Sequence, residues 1–172
     1  MFLDRDGTIN RAIVRDGKPY PPASLDEFRL LPRALEAIQA LKQAGLQVIV
    51  VTNQPDVATG TQKREVVEAI HAYVRECVPV DDIKVCYHVD HDQCACRKPK
   101  PGMLLQAAEE RRLDLNVSFM VGDRWRDIEA GRAAGCRTIL VGEGYAEKPA
   151  QDPDFIAPSL WEASRMILSV SA

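Results

Sequence analysis

The sequence predicts an α/β fold built on a doubly wound parallel sheet. Short runs of apolar and β-branched residues alternate along the chain with longer stretches whose apolar residues recur at helical spacing. Pro32 and Pro101 stand where helices would open, and Gly45 and Gly135 where helices would close. The chemically active residues, first among them Asp4-Arg5-Asp6-Gly7-Thr8, fall at the ends of the short runs, where open α/β sheets bind ligands.

Met1-Phe2-Leu3 reads as the first strand. Period-2 geometry then puts Asp4 and Asp6 on one side, and Gly7 lets the chain turn away at once. Three residues are few for a central strand, which leaves open a natural start other than Met1. Residues from Ile9 to Arg29 are rich in proline, glycine and charge and read as a loop or flap. A helix follows from Pro32 to Ala44, with Leu35, Ile38, Ala40 and Leu41 at helical spacing. Gln47 to Thr52 is a β-branched run suited to a buried parallel strand. Thr61 to Cys77 is helical, with Val66, Val67, Ile70 and Val74 on one face, and Ile83 to Cys86 is a third strand. Beyond it come a helix from Pro101 to Arg112, a strand from Ser118 to Val121, a helix from Arg126 to Ala134 and a strand from Thr138 to Val141. Phe155-Ile156-Ala157 is expected as a short edge strand, and a last helix runs from Ser159 to about Leu168.

A length of 172 residues suits one domain, 1–172, able to bury a core without staples. The net charge of −3 offers no electrostatic footprint for nucleic acid or an acidic membrane, so neither is an expected partner. With no membrane-length apolar stretch and no signal-peptide pattern, a cytoplasmic location is expected; the protein is also expected to be a monomer. Five cysteines, an odd number, argue against a disulfide framework; Cys77 and Cys136 lie in apolar segments and read as core residues.

Two carboxylates as close as Asp4 and Asp6 are costly unless a cation or proton sits between them. A calcium loop starting at Asp4 is excluded, because its sixth and twelfth positions hold Ile9 and Arg15 instead of Gly and Glu. Three further segments fall at or just beyond predicted strand ends: Val51-Thr52-Asn53-Gln54, Cys96-Arg97-Lys98-Pro99, and Val121-Gly122-Asp123 with Asp127 four residues on. In this order on a βαβ scaffold, the four segments resemble the haloacid dehalogenase (HAD) superfamily of phosphotransferases over nearly the whole chain.

That resemblance implies a HAD-like Rossmannoid core and hydrolysis of a phosphomonoester through an aspartyl-phosphate. Asp4 would be the nucleophile. Asp6 would protonate the leaving alkoxide and then deprotonate water, with Asp4 nearby raising its pKa and the metal opposing that shift. Mg²⁺ would be held by the Asp4 side chain, the Asp6 carbonyl and Asp123. The Thr52 hydroxyl, the Asn53 backbone N–H and Lys98 would bind phosphoryl oxygens. Asp127 would orient Asp123 or metal-bound water, or serve as a first-turn helix residue; Arg124 would reach substrate or stay at the surface. Caps in this superfamily follow the first or second motif, and the gaps here are too short to fold separately, so a capless, open site is expected. Its rim would draw on Arg11, Arg15, Lys18, Tyr20, Gln54 and Arg97.

Cys86-x-His88 and, after five residues, Cys94-x-Cys96 offer a Cys₃His set suited to structural Zn²⁺; His91 is the alternative to His88, and a reactive thiol cluster the alternative to zinc. Such a zinc-binding loop would staple Arg97 and Lys98 in place. Joined to Arg-Lys-Pro, it resembles two small capless branches of the superfamily. Thr8-Ile9-Asn10, Val51-Thr52-Asn53-Gln54 and Met120-Val121-Gly122-Asp123 look like a branch acting on a heptose 1,7-bisphosphate. The short zinc-loop gap and Gly122-Asp123-Arg124 look like one acting on histidinol phosphate. A small phosphorylated sugar is the first expectation for the substrate, because a cation-rich rim suits a second phosphate.

Overall fold

The computed structural model describes residues 1–170. Its main sheet has six strands: β1 (Phe2–Leu3), β4 (Ile49–Asn53), β5 (Asp82–Cys86), β6 (Phe119–Gly122), β7 (Arg137–Val141) and β8 (Phe155–Ala157), in the order β5-β4-β1-β6-β7-β8. All its pairings are parallel, with Phe2 beside Ile49 on one side and Met120 on the other. The expected doubly wound sheet is present, and the first strand, short as it is, lies at its centre.

Alternation along the strands sorts side chains into two cores. Leu3, Val50 and Val121 face α1 (Ala34–Gln43), α2 (Arg64–Cys77) and α5 (Leu160–Val170). Phe2, Ile49, Val51 and Met120 face the other way, toward α3 (Gly102–Arg111) and α4 (Trp125–Ala134). Each of these wholly buried side chains contributes about 1.5–3 kcal/mol, which offsets the cost of ordering so short a first strand. Gly131 lets α4 lie directly on β6, since a Cβ there would meet the Met120 Cβ at 2.6 Å.

The flap differs from its expected form. Within it, β2 (Ile13–Arg15) and β3 (Lys18–Tyr20) pair as an antiparallel hairpin. Asp16 and Gly17 both have positive φ, +50° and +72°, as a tight two-residue hairpin turn requires. Ala146 N–H donates to the Gly17 carbonyl at 2.8 Å, docking residues 142–150 on the hairpin tip. Cys136 is buried as expected; Cys77 is half-buried at the margin of the first core. No helix among the described residues is long and apolar enough to cross a membrane.

Candidate active site

β4, β1 and β6 are neighbours, so the loops leaving their C-terminal ends converge over the middle of the sheet. Asp4 follows β1 directly, its N–H donating to the Val121 carbonyl at 2.9 Å, and Asp123 follows β6. A cavity of about 160 Å³ opens over them, lined among others by Asp4, Asp6, Thr52, Asn53, Arg97, Lys98 and Arg124. Arg11, Arg15, Lys18 and Gln54 do not line it, and of the flap Tyr20 and its flanking prolines do.

At the floor, the buried Lys98 ammonium donates to Asp4 Oδ1 at 2.7 Å, to Asp127 Oδ1 at 2.5 Å and to the Val51 carbonyl at 2.8 Å. Burial alone would lower its pKa, but the charges of Asp127 and Asp4 outweigh that and raise it, so Lys98 stays protonated. Burial pushes Asp4 up to about 6 even against Lys98, and burial with Asp4 and Asp127 nearby pushes Asp123 well above the usual carboxylate range. Asp4, Asp123 and Asp127 present carboxylate oxygens within 4.8 Å of one another. Three carboxylates facing one ammonium leave two negative charges when all are ionised, which a divalent cation would balance. Asp123 Oδ1 is buried with no hydrogen-bond partner among the described residues, as a metal-facing oxygen would be. The residues therefore fit a hard divalent ion. Gly7, at φ +88°, makes room for them, since a Cβ there would overlap the Asp123 carboxylate.

Asp6 also lines the cavity, but its carboxylate belongs to a separate network. Oδ1 accepts from Arg5 Nε at 3.2 Å, Arg5 Nη2 at 3.0 Å and Asn10 Nδ2 at 2.9 Å; Oδ2 accepts from Arg5 Nη2 and Gln54 Nε2, each at 2.8 Å. Burial pushes its pKa up, yet the Arg5 charge and these donors prevail and hold it below the usual value. The expectation that Asp4 would raise it is corrected: the adjacent guanidinium outweighs the neighbouring carboxylate.

The Thr52 hydroxyl accepts from Gln54 Nε2 at 2.8 Å, which frees its own proton to donate into the cavity. Gln54 is therefore spent on Thr52 and Asp6, and does not meet the cavity as a rim residue. Asn53 holds the Lys98 backbone from both sides, Nδ2 donating to its carbonyl at 3.0 Å and Oδ1 accepting from its N–H at 3.1 Å.

At the rim, Arg97 Nε and Arg126 Nη1 both donate to Asp90 Oδ1, at 2.8 and 3.2 Å, while Arg97 Nη1 is buried with no partner among the described residues. Arg124 turns to form an ion pair with Glu147 and gives its backbone N–H to Asp127 Oδ2 at 3.0 Å. Asp127 thus serves both as helix first-turn residue and as partner of Lys98. Tyr145 hydroxyl donates to Asp123 Oδ2 from the 142–150 segment. Sequence reasoning missed Arg126, Tyr145, Glu147 and Asn10 as parts of the site. Asn10 had a signal in the Thr8-Ile9-Asn10 segment and Arg126 in standing three residues after Asp123; nothing local marked Tyr145 or Glu147.

Cys86, His88, Cys94 and Cys96 converge beside the cavity. Their sulfur–sulfur separations are 3.7 Å (Cys86–Cys94), 3.0 Å (Cys86–Cys96) and 3.5 Å (Cys94–Cys96), and His88 Nδ1 lies 3.6 Å from Cys86 and 3.3 Å from Cys96. A tetrahedral zinc with ordinary Zn–S and Zn–N bonds has ligand–ligand edges of about 3.5–3.8 Å. Three of the five separations match, while both contacts of Cys96 with Cys86 and His88 are shorter. Cys96 would move outward to hold the ion, and zinc suits this donor set. His91 is exposed and outside it.

A parallel sheet that brings two aspartates, a strand-end threonine, a buried lysine and a metal-ready carboxylate cluster to one edge defines a phosphoryl-transfer hydrolase. Residues 95–163 match the HAD-hydrolase-like family model (Hydrolase_like). The chain is 44% identical over 158 residues to D-glycero-beta-D-manno-heptose-1,7-bisphosphate 7-phosphatase of Pseudomonas aeruginosa, covering 89% of this chain and 86% of that one. It is 34% identical to the enzyme of the same name from Escherichia coli K12, covering 97% and 92%. The crystal structure of D,D-heptose 1,7-bisphosphate phosphatase from B. bronchiseptica, complexed with magnesium and phosphate, superposes with a TM-score of 0.85 at 34% identity, covering 99% of this chain and 98% of that one. The chain belongs to the HAD-like hydrolases, and within them it is a phosphatase.

Proposed function

We propose that the protein removes the 7-phosphate of D-glycero-D-manno-heptose 1,7-bisphosphate, with Asp4 as nucleophile, Asp6 as acid and base, and Mg²⁺ held by Asp4, Asp123 and the Asp6 carbonyl. The observation that carries this reading is the Asp4–Lys98–Asp123–Asp127 cluster at the floor of a cavity rimmed by Arg97, Arg124 and Arg126. An Asp4 carboxylate oxygen attacks phosphorus, and the bond to the sugar oxygen breaks as that oxygen takes a proton from Asp6. Asp6 then accepts a proton from water, which attacks the acyl phosphate, releases inorganic phosphate and restores Asp4. Lys98 and the Thr52 hydroxyl offset charge on the transferring group. When bound, Mg²⁺ supplies the charge that lets a carboxylate approach a phosphomonoester dianion. The proton Asp6 delivers must first be taken up, because its donors favour the carboxylate. The reading takes residues 1–172 as a single catalytic domain acting as a cytoplasmic monomer.

Arg124 is paired with Glu147, and Arg97 and Arg126 share Asp90, so one guanidinium charge is unbalanced among these five groups. With Arg97 Nη1 left without a partner among the described residues, this favours a second phosphate over the cationic amine of histidinol phosphate. Arg97→Ala should accordingly raise KM for the heptose bisphosphate about ten- to hundredfold, the worth of one charge-assisted contact, and change hydrolysis of a monophosphate little. Steady-state kinetics on both substrates check this; equal losses, or histidinol phosphate outperforming the bisphosphate in the unaltered chain, would remove the substrate assignment.

Zinc in the Cys₃His cluster would act on recognition. Asp90, which steadies Arg97 and Arg126, lies inside the same loop, whereas Lys98 is also held by Asn53. Protein purified without chelator should contain one zinc per chain. Cys94→Ser should lose it and raise KM about tenfold, with kcat changing less. Elemental analysis paired with kinetics decides the point.

A further inference from the structure

Arg5 is fully buried, 0% exposed, and is not among the residues that line the cavity. Its Nε and Nη2 grip Asp6, while Nη1 lies 2.8 Å from Nε2 of His71 on α2. A guanidinium only donates, so Nε2 must carry the lone pair and the ring proton must sit on Nδ1. Nδ1 has no hydrogen-bond partner among the described residues; the nearest acid, Glu68 Oε2, is 3.8 Å away. Burial and the Arg5 charge push the His71 pKa down to about 4, which keeps the ring neutral and its lone pair available. The rest of that helix face is apolar: Val67, Ile70 and Val74 are buried around the histidine. A leucine there would suit the core better, but would leave a buried cationic donor without an acceptor.

We propose that His71 is a positioning residue for the phosphatase reaction: by accepting from Arg5 Nη1 it fixes the guanidinium that sets where the Asp6 carboxyl group stands. Asp6 has to exchange a proton with the leaving oxygen across a hydrogen-bond distance, so an Arg5 free to pivot misplaces the acid without touching the nucleophile. The inference rests on the assignment of Asp6 as acid and base.

The test separates leaving groups. An alkoxide needs a proton as it departs; p-nitrophenolate does not. The quantity to compare is kcat/KM, which ends at transfer to Asp4 and so leaves out the later attack by water. His71→Leu is expected to lower kcat/KM about 10- to 100-fold on a sugar phosphate and to stay within about threefold of the unaltered chain on p-nitrophenyl phosphate. His71→Gln, whose side-chain oxygen can occupy the place of Nε2, should recover most of the loss. His71→Asn, polar but too short to reach Arg5, should show the same split as His71→Leu and carries the test if that variant does not fold. Equal losses on both substrates, or no loss on either, overturn the inference while Asp6→Asn still shows the split. An Asp6→Asn variant without the split overturns the acid–base assignment and the inference with it.

Discussion

Asp4→Asn should reduce turnover by about 10³-fold or more on every phosphomonoester, because the amide fills the same space and cannot attack phosphorus. The fold should survive. Asp4 is buried with its pKa pushed up to about 6, so the substitution removes a group whose ionisation already costs stability. Phosphate release and a cooperative thermal melt measured on one preparation separate the two effects. Near-normal turnover would rule out an aspartyl-phosphate on this residue.

Lys98→Met should be the most damaging change to the folded chain measured without Mg²⁺. It leaves Asp4, Asp123 and Asp127 facing one another with no ammonium, and breaking a buried ion pair from one side costs about 3–5 kcal/mol. The sign of the pH dependence follows from Asp4. Its folded pKa, about 6, lies above the ordinary 3.8, so between those values the folded state holds the extra proton and stability falls as pH rises through the window. Removing Lys98 raises that folded pKa further, so the deficit should be larger at pH 8 than at pH 5, and Mg²⁺ should recover part of it at pH 8. Denaturant titrations at the two pH values, with and without Mg²⁺, measure this. A deficit independent of both would mean that Lys98 is not the counter-charge to this cluster.

The strands and helices were legible because each carries its period in a short window, and the motifs were legible because parallel-sheet connectivity delivers strand ends to one edge. The hairpin at Ile13–Tyr20 was read as a loop because Pro19 and the surrounding charge masked two three-residue strands; Asp16-Gly17 was the local signal for it. The state of Asp6 was misjudged for a different reason. The sequence sets it beside Arg5, but only the fold shows that guanidinium turned inward and braced from a helix sixty-six residues away. Tyr145 and Glu147 were invisible on the same grounds, since their partners Asp123 and Arg124 lie more than twenty residues upstream and meet them through a segment without periodicity.

Asp90 gives the rim an unusual genetic lever. One exposed carboxylate restrains Arg97 and Arg126 together and cancels one of their charges. Changing that single codon would release Arg97, leave Arg126 tied only to the Lys98 carbonyl and make the mouth of the cavity one charge more positive, while Asp4 and Lys98 keep their own contacts. Preference among phosphorylated sugars can therefore drift in one mutational step without passing through an inactive intermediate sequence.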